Sequence, residues 1–386
     1  MFFTLYMDNF TAYNPTTLHF GRNVITSLAP ALLNYGKKVL LVYGTGSIKR
    51  SGLYDRIKDL LIKNGMAVYE YGGIKPNPRV QDVDAAADLG RTNNIDVVLA
   101  VGGGSVIDSG KIISITIPVS HSAWDFYTYR EKPVTSLPLV AVLTLAATGT
   151  EMNAFAVLQN PDTQIKSGYH SVLIYPKHSF LDPEVTCSVP KDYTAYGIAD
   201  LIAHCFENYF SIGESTLTDR FIISIVREAM EYGPLLLDDL HNYELRAKIM
   251  FAATMALNGL TAQGKTSGDW GVHAVGHVLS VVFDIPHGAS LTIVYPAWMK
   301  FFKDRISGRI ADLGSELFHS HMTADESIRQ IEMFFKSIDC PTRLSDLRIP
   351  GDPRQSIYNA MVTNKVNGAV MKFGERDYRK MVELML

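Results

Sequence analysis

The sequence predicts two domains of different class. An α/β domain on a parallel sheet covers residues 1–184, and an all-helical domain covers 185–386. Three observations predict this. Up to about residue 180, short apolar runs alternate with amphipathic segments. From about residue 184 the helical period takes over almost without a break. The length of 386 residues suits two domains, and 47% hydrophobic against 19% charged residues is enough for two large cores.

The elements follow in order. KVLLVYG (38–44) reads as a buried strand, and LYDRIKDLLIKNG (53–65) as an amphipathic helix. AVYEYGG (67–73) is a strand. After the punctuator KPNP (75–78), VQDVDAAADLGRTN (80–93) is helical. DVVLAVGGGS (96–105) is an apolar strand running into glycines, with VIDSGKIISI as the next helix. LPLVAVLTL (137–145) is a further buried strand. KDYTAYGIADLIAHCFENYF, LTDRFIISIVREAMEY and YELRAKIMFAATMALNG then carry the helical period. In such an architecture a ligand cleft is expected at the carboxyl ends of the strands, between the domains.

Several classes are excluded. The net charge of −3, with no long Lys/Arg tract, argues against nucleic acid or an anionic membrane surface as partner. LPLVAVLTLAA (137–147) falls far short of the ~20 residues of a membrane helix. MFFTLYMDNF has neither a basic start nor an apolar run, so no signal peptide is expected, and residues ahead of Met7 read as an extension. Cys187, Cys205 and Cys340 form no CxxC pair or disulfide framework, which fits a cytoplasmic protein with reduced thiols.

GLTAQGKT (259–266) matches the P-loop pattern G-x-x-x-x-G-K-[ST]. A working P-loop follows a strand, whereas ELRAKIMFAATMALN ahead of it is made of helix formers. The stretch is expected to be a helix-to-helix turn, which disfavours a nucleotide triphosphatase. GGGS (102–105) has the context that GLTAQGKT lacks: a buried strand before it and a helix after it. Glycines let backbone amides approach a pyrophosphate at a helix N-terminus. YGTGS (43–47) ends the earlier strand without an acidic residue, and Lys49 and Arg50 follow. That combination suits the 2′-phosphate of NADPH. TLAATGTE (144–151) ends the last apolar strand with small hydroxyl residues.

Asp200 and His204 are four apart on one helix, and so are His273 and His277, with His287 on a turn set by Pro286 and Gly288. A carboxylate and several imidazoles from such elements can close a shell around a divalent metal. Spacing leaves open which of His273 and His277 binds, and whether the metal is Fe2+ or Zn2+.

GGGSVIDSGK, TLAATGTE, the Asp200–His204 pair, HAVGH and PHG stand in the order found in iron-containing alcohol dehydrogenases. The chain resembles the NADPH-dependent butanol dehydrogenase-like members of that family. NPTTLHFG (14–21), LLVYGTGSIKRSGLYD (40–55), KPNP, DWGVH and VYPAWMKF extend the resemblance over nearly the whole chain. It implies a Rossmann-like first domain and a helical second domain, a dehydroquinate synthase-like architecture. It implies Asp200, His204, His273 and His287 as metal ligands, with His277 beside the nicotinamide as the catalytic proton relay. Gly44, Gly46 and Ser47 would meet the adenosine ribose and Asn77 the adenosine side. Gly103, Gly104 and Ser105 would hold the pyrophosphate, with Asp108 supporting that turn. Thr144, Thr148 and Lys166 would line the ribose and nicotinamide end. Gly44 stands where NAD-preferring relatives carry aspartate, which implies NADP(H). Phe155 departs from the pattern, since many relatives have asparagine there. The implied reaction is hydride transfer between NADP(H) and a small aliphatic alcohol or aldehyde, in a homodimer.

Rival readings are a metal- and NAD-dependent lyase of the dehydroquinate synthase type, a glycerol dehydrogenase, and a non-catalytic dinucleotide sensor. The apolar stretches Phe251–Leu257 and Val278–Phe283 favour a small alkyl aldehyde over the phosphorylated substrate of a lyase.

Overall fold

A computed structural model describes residues 6–386. The expected extension ahead of Met7 lies, but for Tyr6, outside the described residues. Contacts group the chain into two compact units. One comprises Asn14–Val189 and His241–Met250. The other comprises Pro190–Leu240, Phe251–Leu386 and the N-terminal stretch ending at Tyr13.

The first unit is built on a six-stranded sheet. Its strands are β1 (Thr17–Phe20), β2 (Lys38–Gly44), β3 (Ala67–Ile74), β4 (Val97–Gly102), β5 (Leu139–Leu143) and β8 (His178–Leu181). They run in the order β1-β8-β5-β4-β2-β3, and every pairing is parallel. The hairpin β6 (Phe155–Asn160) and β7 (Ile165–His170) forms a separate antiparallel pair. The longer helices of this unit are α1 (Leu53–Lys63), α2 (Val80–Asn93) and α3 (Gly104–Thr116).

Both faces of the sheet are buried, which is why its strands read as unbroken apolar runs. Val39, Leu41, Val97, Leu99, Val140 and Val142 enter one core, while Leu40, Val42, Val98, Ala100 and Ala141 enter the other.

The second unit is helical. Its helices are α4 (Lys191–Tyr209), α5 (Thr216–Asp238), α6 (Tyr243–Ala256), α7 (Gly271–Phe283), α8 (His287–Phe318), α9 (Ala324–Ser337), α10 (Arg354–Thr363) and α11 (Glu375–Met385). The opening of α6 groups with the first unit.

Three expectations need correction. A single break at 184/185 does not describe the units. Residues 185–189 and 241–250 pack with the sheet unit, where the Arg22 guanidinium lies 3.8 Å over the Tyr243 ring and Arg246 donates to the Val189 carbonyl. The stretch ending at Tyr13 joins the helical unit, where Asp8 N donates to the Gly264 carbonyl at 3.1 Å. His287 is not on a turn. It is the first residue of α8, with Pro286 as its cap.

GLTAQGKT contains one short helical turn, Leu260–Ala262, and follows α6 rather than a strand. Its Lys265 is buried in an ion pair with Asp219 at 2.7 Å, so its ammonium is committed to the protein.

Candidate metal and cofactor sites

The candidate metal site is set by three helix segments of the helical unit. On α4, Asp200, His204 and Glu207 fall at i, i+4 and i+7, one face over two turns. Helix α7 supplies His273 and His277, and the start of α8 supplies His287. Asp200 Oδ1 is the common centre. His204 Nε2 lies 3.8 Å from it, His273 Nε2 3.9 Å and His287 Nε2 3.7 Å. Donor atoms of Asp200, His204 and His273 all lie within 4.8 Å of one another, and all three residues are buried.

The donor set fits a divalent metal. Bonds of about 2.0–2.2 Å in a tetrahedral shell place ligand atoms roughly 3.4 Å apart, a few tenths less than these separations. Burial, and then the neighbouring His273, holds the His204 imidazole well below its ordinary range. It is therefore neutral, the form that binds metal. His277 stands one turn beyond His273, half-buried, with its ring centroid 5.4 Å from that of His287.

Spacing alone did not single out Glu207. Its Oε1 meets His273 Nδ1 at 2.7 Å and His273 N at 3.0 Å, and its Oε2 accepts from Trp270 N. Burial pushes the Glu207 carboxyl up to about 8, against the pull of the His273, Trp270 and Val272 amides. Beside it, Asp269 is buried and accepts from Gly271 N at 3.2 Å, Val370 N at 2.9 Å and Met371 N. It ties the 366–373 loop to the start of α7. Glu207 had a signal in the sequence, seven residues after Asp200. Asp269 opens the DWGVH motif, but its role was not legible there, because Val370 and Met371 lie about a hundred residues away.

In the sheet unit the glycine motifs converge because β2, β4 and β5 are adjacent strands. Gly44 ends β2, and Gly46 and Ser47 open the short helix Ser47–Arg50. Gly103 caps α3, with Gly104 and Ser105 in its first turn. Thr144 N donates to the Gly102 carbonyl at 3.0 Å. A Cβ on Gly104 would lie 2.7 Å from Thr148 Cγ2, so only glycine lets the two loops meet this closely. These loops form a cradle of backbone amides at the N-terminus of α3, suited to a pyrophosphate.

Asp108 points elsewhere. Its carboxylate accepts from Thr150 Oγ1 at 2.6 Å and Val157 N at 2.8 Å, so it braces the neighbouring loop. Asn77 and Lys166 were expected at opposite ends of the cofactor, yet Lys166 Nζ donates to Asn77 Oδ1 at 2.7 Å. They stand together, because β7 carries Lys166 to the loop that follows β3. The two cations after YGTGS also separate. Lys49 Nζ sits 4.9 Å over the Tyr43 ring and 4.7 Å over the Tyr54 ring. Arg50 Nη1 instead reaches to 3.6 Å of where a Gly46 Cβ would stand. Phe155 is exposed at the start of β6, its ring 4.7 Å from that of His170.

Comparison with known proteins decides the family. Residues 15–183 match the model of iron-containing alcohol dehydrogenases, and residues 194–384 match the C-terminal model of the same family. The chain belongs to the iron-containing alcohol dehydrogenase family. Within it, the chain is 41% identical to the probable NADH-dependent butanol dehydrogenase 1 of Bacillus subtilis, covering 98% of this chain and 100% of that protein. It is 34% identical to the NADPH-dependent aldehyde reductase YqhD of Escherichia coli, over 89% of this chain and 90% of the relative. Among solved structures, the NADH-dependent butanol dehydrogenase A of Thermotoga maritima superposes with a TM-score of 0.95. The two are 34% identical, with 98% of this chain and 99% of that one covered. This iron-containing alcohol dehydrogenase shares with its relatives the parallel sheet followed by helices. Among the described residues, no helix is long and apolar enough to cross a membrane.

Proposed function

We propose that the chain moves hydride between NADP(H) and small aliphatic alcohols or aldehydes, butanol and butanal among them, with a divalent metal, Fe2+ or Zn2+. The observation that carries this is the cluster of buried Asp200, His204 and His273 with half-buried His287, around one carboxylate oxygen, in a member of this family. These four residues would hold the metal, which when bound supplies a Lewis acid to an aldehyde oxygen.

The chain's own residues do the rest. Gly44, Gly46 and Ser47 would receive the adenosine ribose. Gly103, Gly104 and Ser105 would receive the pyrophosphate on backbone amides. Asn77 and Lys166, joined at 2.7 Å, would bind one ribose region together, and Thr144 and Thr148 would line the site toward the nicotinamide. His277, half-buried beside His287, would relay a proton to the product alkoxide through water or the cofactor ribose.

Support for NADP(H) lies in the missing acid at 44–47 and in Arg50 beside Gly46. The similar relatives include both NADH- and NADPH-dependent enzymes, so the coenzyme needs its own arm of the test. We also propose a cytoplasmic homodimer.

The test is NADPH and NADH consumption with butanal, using chelator-stripped protein with and without added Fe2+ or Zn2+. Metal-restored consumption with NADPH preferred is the expected result. Equal or better use of NADH would overturn the NADP(H) reading while leaving the reaction in place. No consumption with any metal would overturn the reaction itself.

A further inference from the structure

We propose that Glu207 is a positioning residue for the metal site. Its carboxylate fixes the tautomer and direction of the His273 ring, and the same carboxylate caps the helix that carries that ring. The inference rests on the reading that His273 binds metal.

The geometry is specific. Glu207 lies on α4 three residues after His204 and seven after Asp200, so it moves as one body with two of the four ligands. Its side chain is 1% exposed. One oxygen, Oε1, meets both the Nδ1 and the backbone N–H of His273, at 2.7 and 3.0 Å. The other accepts the backbone N–H of Trp270, which precedes the first residue of α7. Both Glu207 oxygens accept backbone N–H groups, from His273 and Trp270, so Glu207 meets the ring as an acceptor and Nδ1 carries the proton. Nε2 then keeps its lone pair, and this is the nitrogen that faces Asp200 Oδ1.

The cap serves the same end. Trp270 sits at φ 61°, a left-handed conformation that a bulky side chain adopts only under constraint. Glu207 holds that turn, so α7 begins where it must for His273 to reach the cluster. A neutral imidazole without this partner would divide between two tautomers and several ring angles. Metal binding would then have to select one of them.

The competing role is a plain helix cap, which would matter for folding and not for the metal. Zinc-loaded full-length protein, wild type and Glu207→Gln, challenged with a graded chelator series, separates the two. Glutamine keeps the shape and one acceptor oxygen. A 10–100-fold weaker hold on zinc is expected in the variant, the usual cost of losing such a partner. The variant's metal-free melting temperature is expected to fall little by comparison. A second readout is the His273 Nδ1–H proton in nitrogen-correlated NMR of the zinc-loaded enzyme. It should resonate far downfield in the wild type and move upfield in Glu207→Gln. Unchanged zinc affinity with a lowered metal-free melting temperature would leave only the cap and overturn the proposal. Failure of the wild type to hold zinc would overturn the metal reading itself, whatever the variant does.

Discussion

Gly288→Ala tests whether the four ligands act as one site, because Gly288 is where α8 touches α4. A Cβ there would lie 2.7 Å from the Tyr196 carbonyl carbon and 2.8 Å from its Cα, and closer still to the carbonyl oxygen. Carbon atoms in contact stay about 3.5–4.0 Å apart, so the start of α8 must withdraw by roughly 1 Å. His287 is the adjacent residue, and its Nε2 now stands 3.7 Å from Asp200 Oδ1. Metal sites hold their ligand distances to within about 0.2 Å, so the displacement is several times the tolerance. Overpacking of this kind costs about 1–3 kcal/mol, or roughly 2–4 °C in melting temperature per kcal/mol for units of this size. The expected outcome is a folded protein, melting several degrees lower, that loses metal to chelator concentrations the wild type withstands. Metal content by mass spectrometry and melting by calorimetry measure the two effects. A Gly288→Ala protein with wild-type metal retention would refute the reasoning, since His287 would then not need its present place.

Other expectations follow from the same geometry. His204→Ala should lose metal and activity together, whereas His277→Ala should keep its metal and turn over more slowly. Full activity in a metal-free His204→Ala protein would sink the scheme. Arg50→Gln should raise the KM for NADPH and leave that for NADH unchanged, while Lys49→Gln, whose ammonium lies over Tyr43 and Tyr54, should discriminate less. For pH dependence, burial raises the Glu70 carboxyl, but its hydrogen bonds with Lys58 and Tyr54 outweigh burial and hold it below its ordinary value of 4.5. A carboxyl lowered on folding stabilises the protein above that value, and the benefit fades as pH falls through the folded value. Glu70→Gln should therefore be less stable than the wild type at neutral pH, by about 1 kcal/mol or less because solvent screens the pair. The gap should close in acid, and a gap that persists there would contradict the assignment.

Much of the sheet unit was legible because its signals are local. KVLLVYG, DVVLAV and LVAVL are continuous apolar runs, and the alternation with amphipathic helices implies parallel strands. The short strands β1 and β8 have four residues each, and the β6–β7 hairpin mixes polar and apolar residues without strict alternation. No window of sequence marks them strongly. The candidate ligands were legible as spacings, since helical period alone puts Asp200 and His204 on one face. Asn77 and Lys166 were not legible as neighbours, because 89 residues of chain separate them.

The sequence by itself determined what local chemistry decides. Those properties are the strand and helix periods, the glycines that can approach a phosphate, and the residue types able to hold a metal. Only the tertiary structure decided which of those residues meet. It joined Glu207 to His273 across two helices, turned Lys49 onto two tyrosines while Arg50 reached toward Gly46, and buried the lysine of a P-loop look-alike in an ion pair. The physical reason is range. Backbone periodicity acts over a few residues, whereas a hydrogen bond or a close glycine contact depends on packing that the whole chain sets at once.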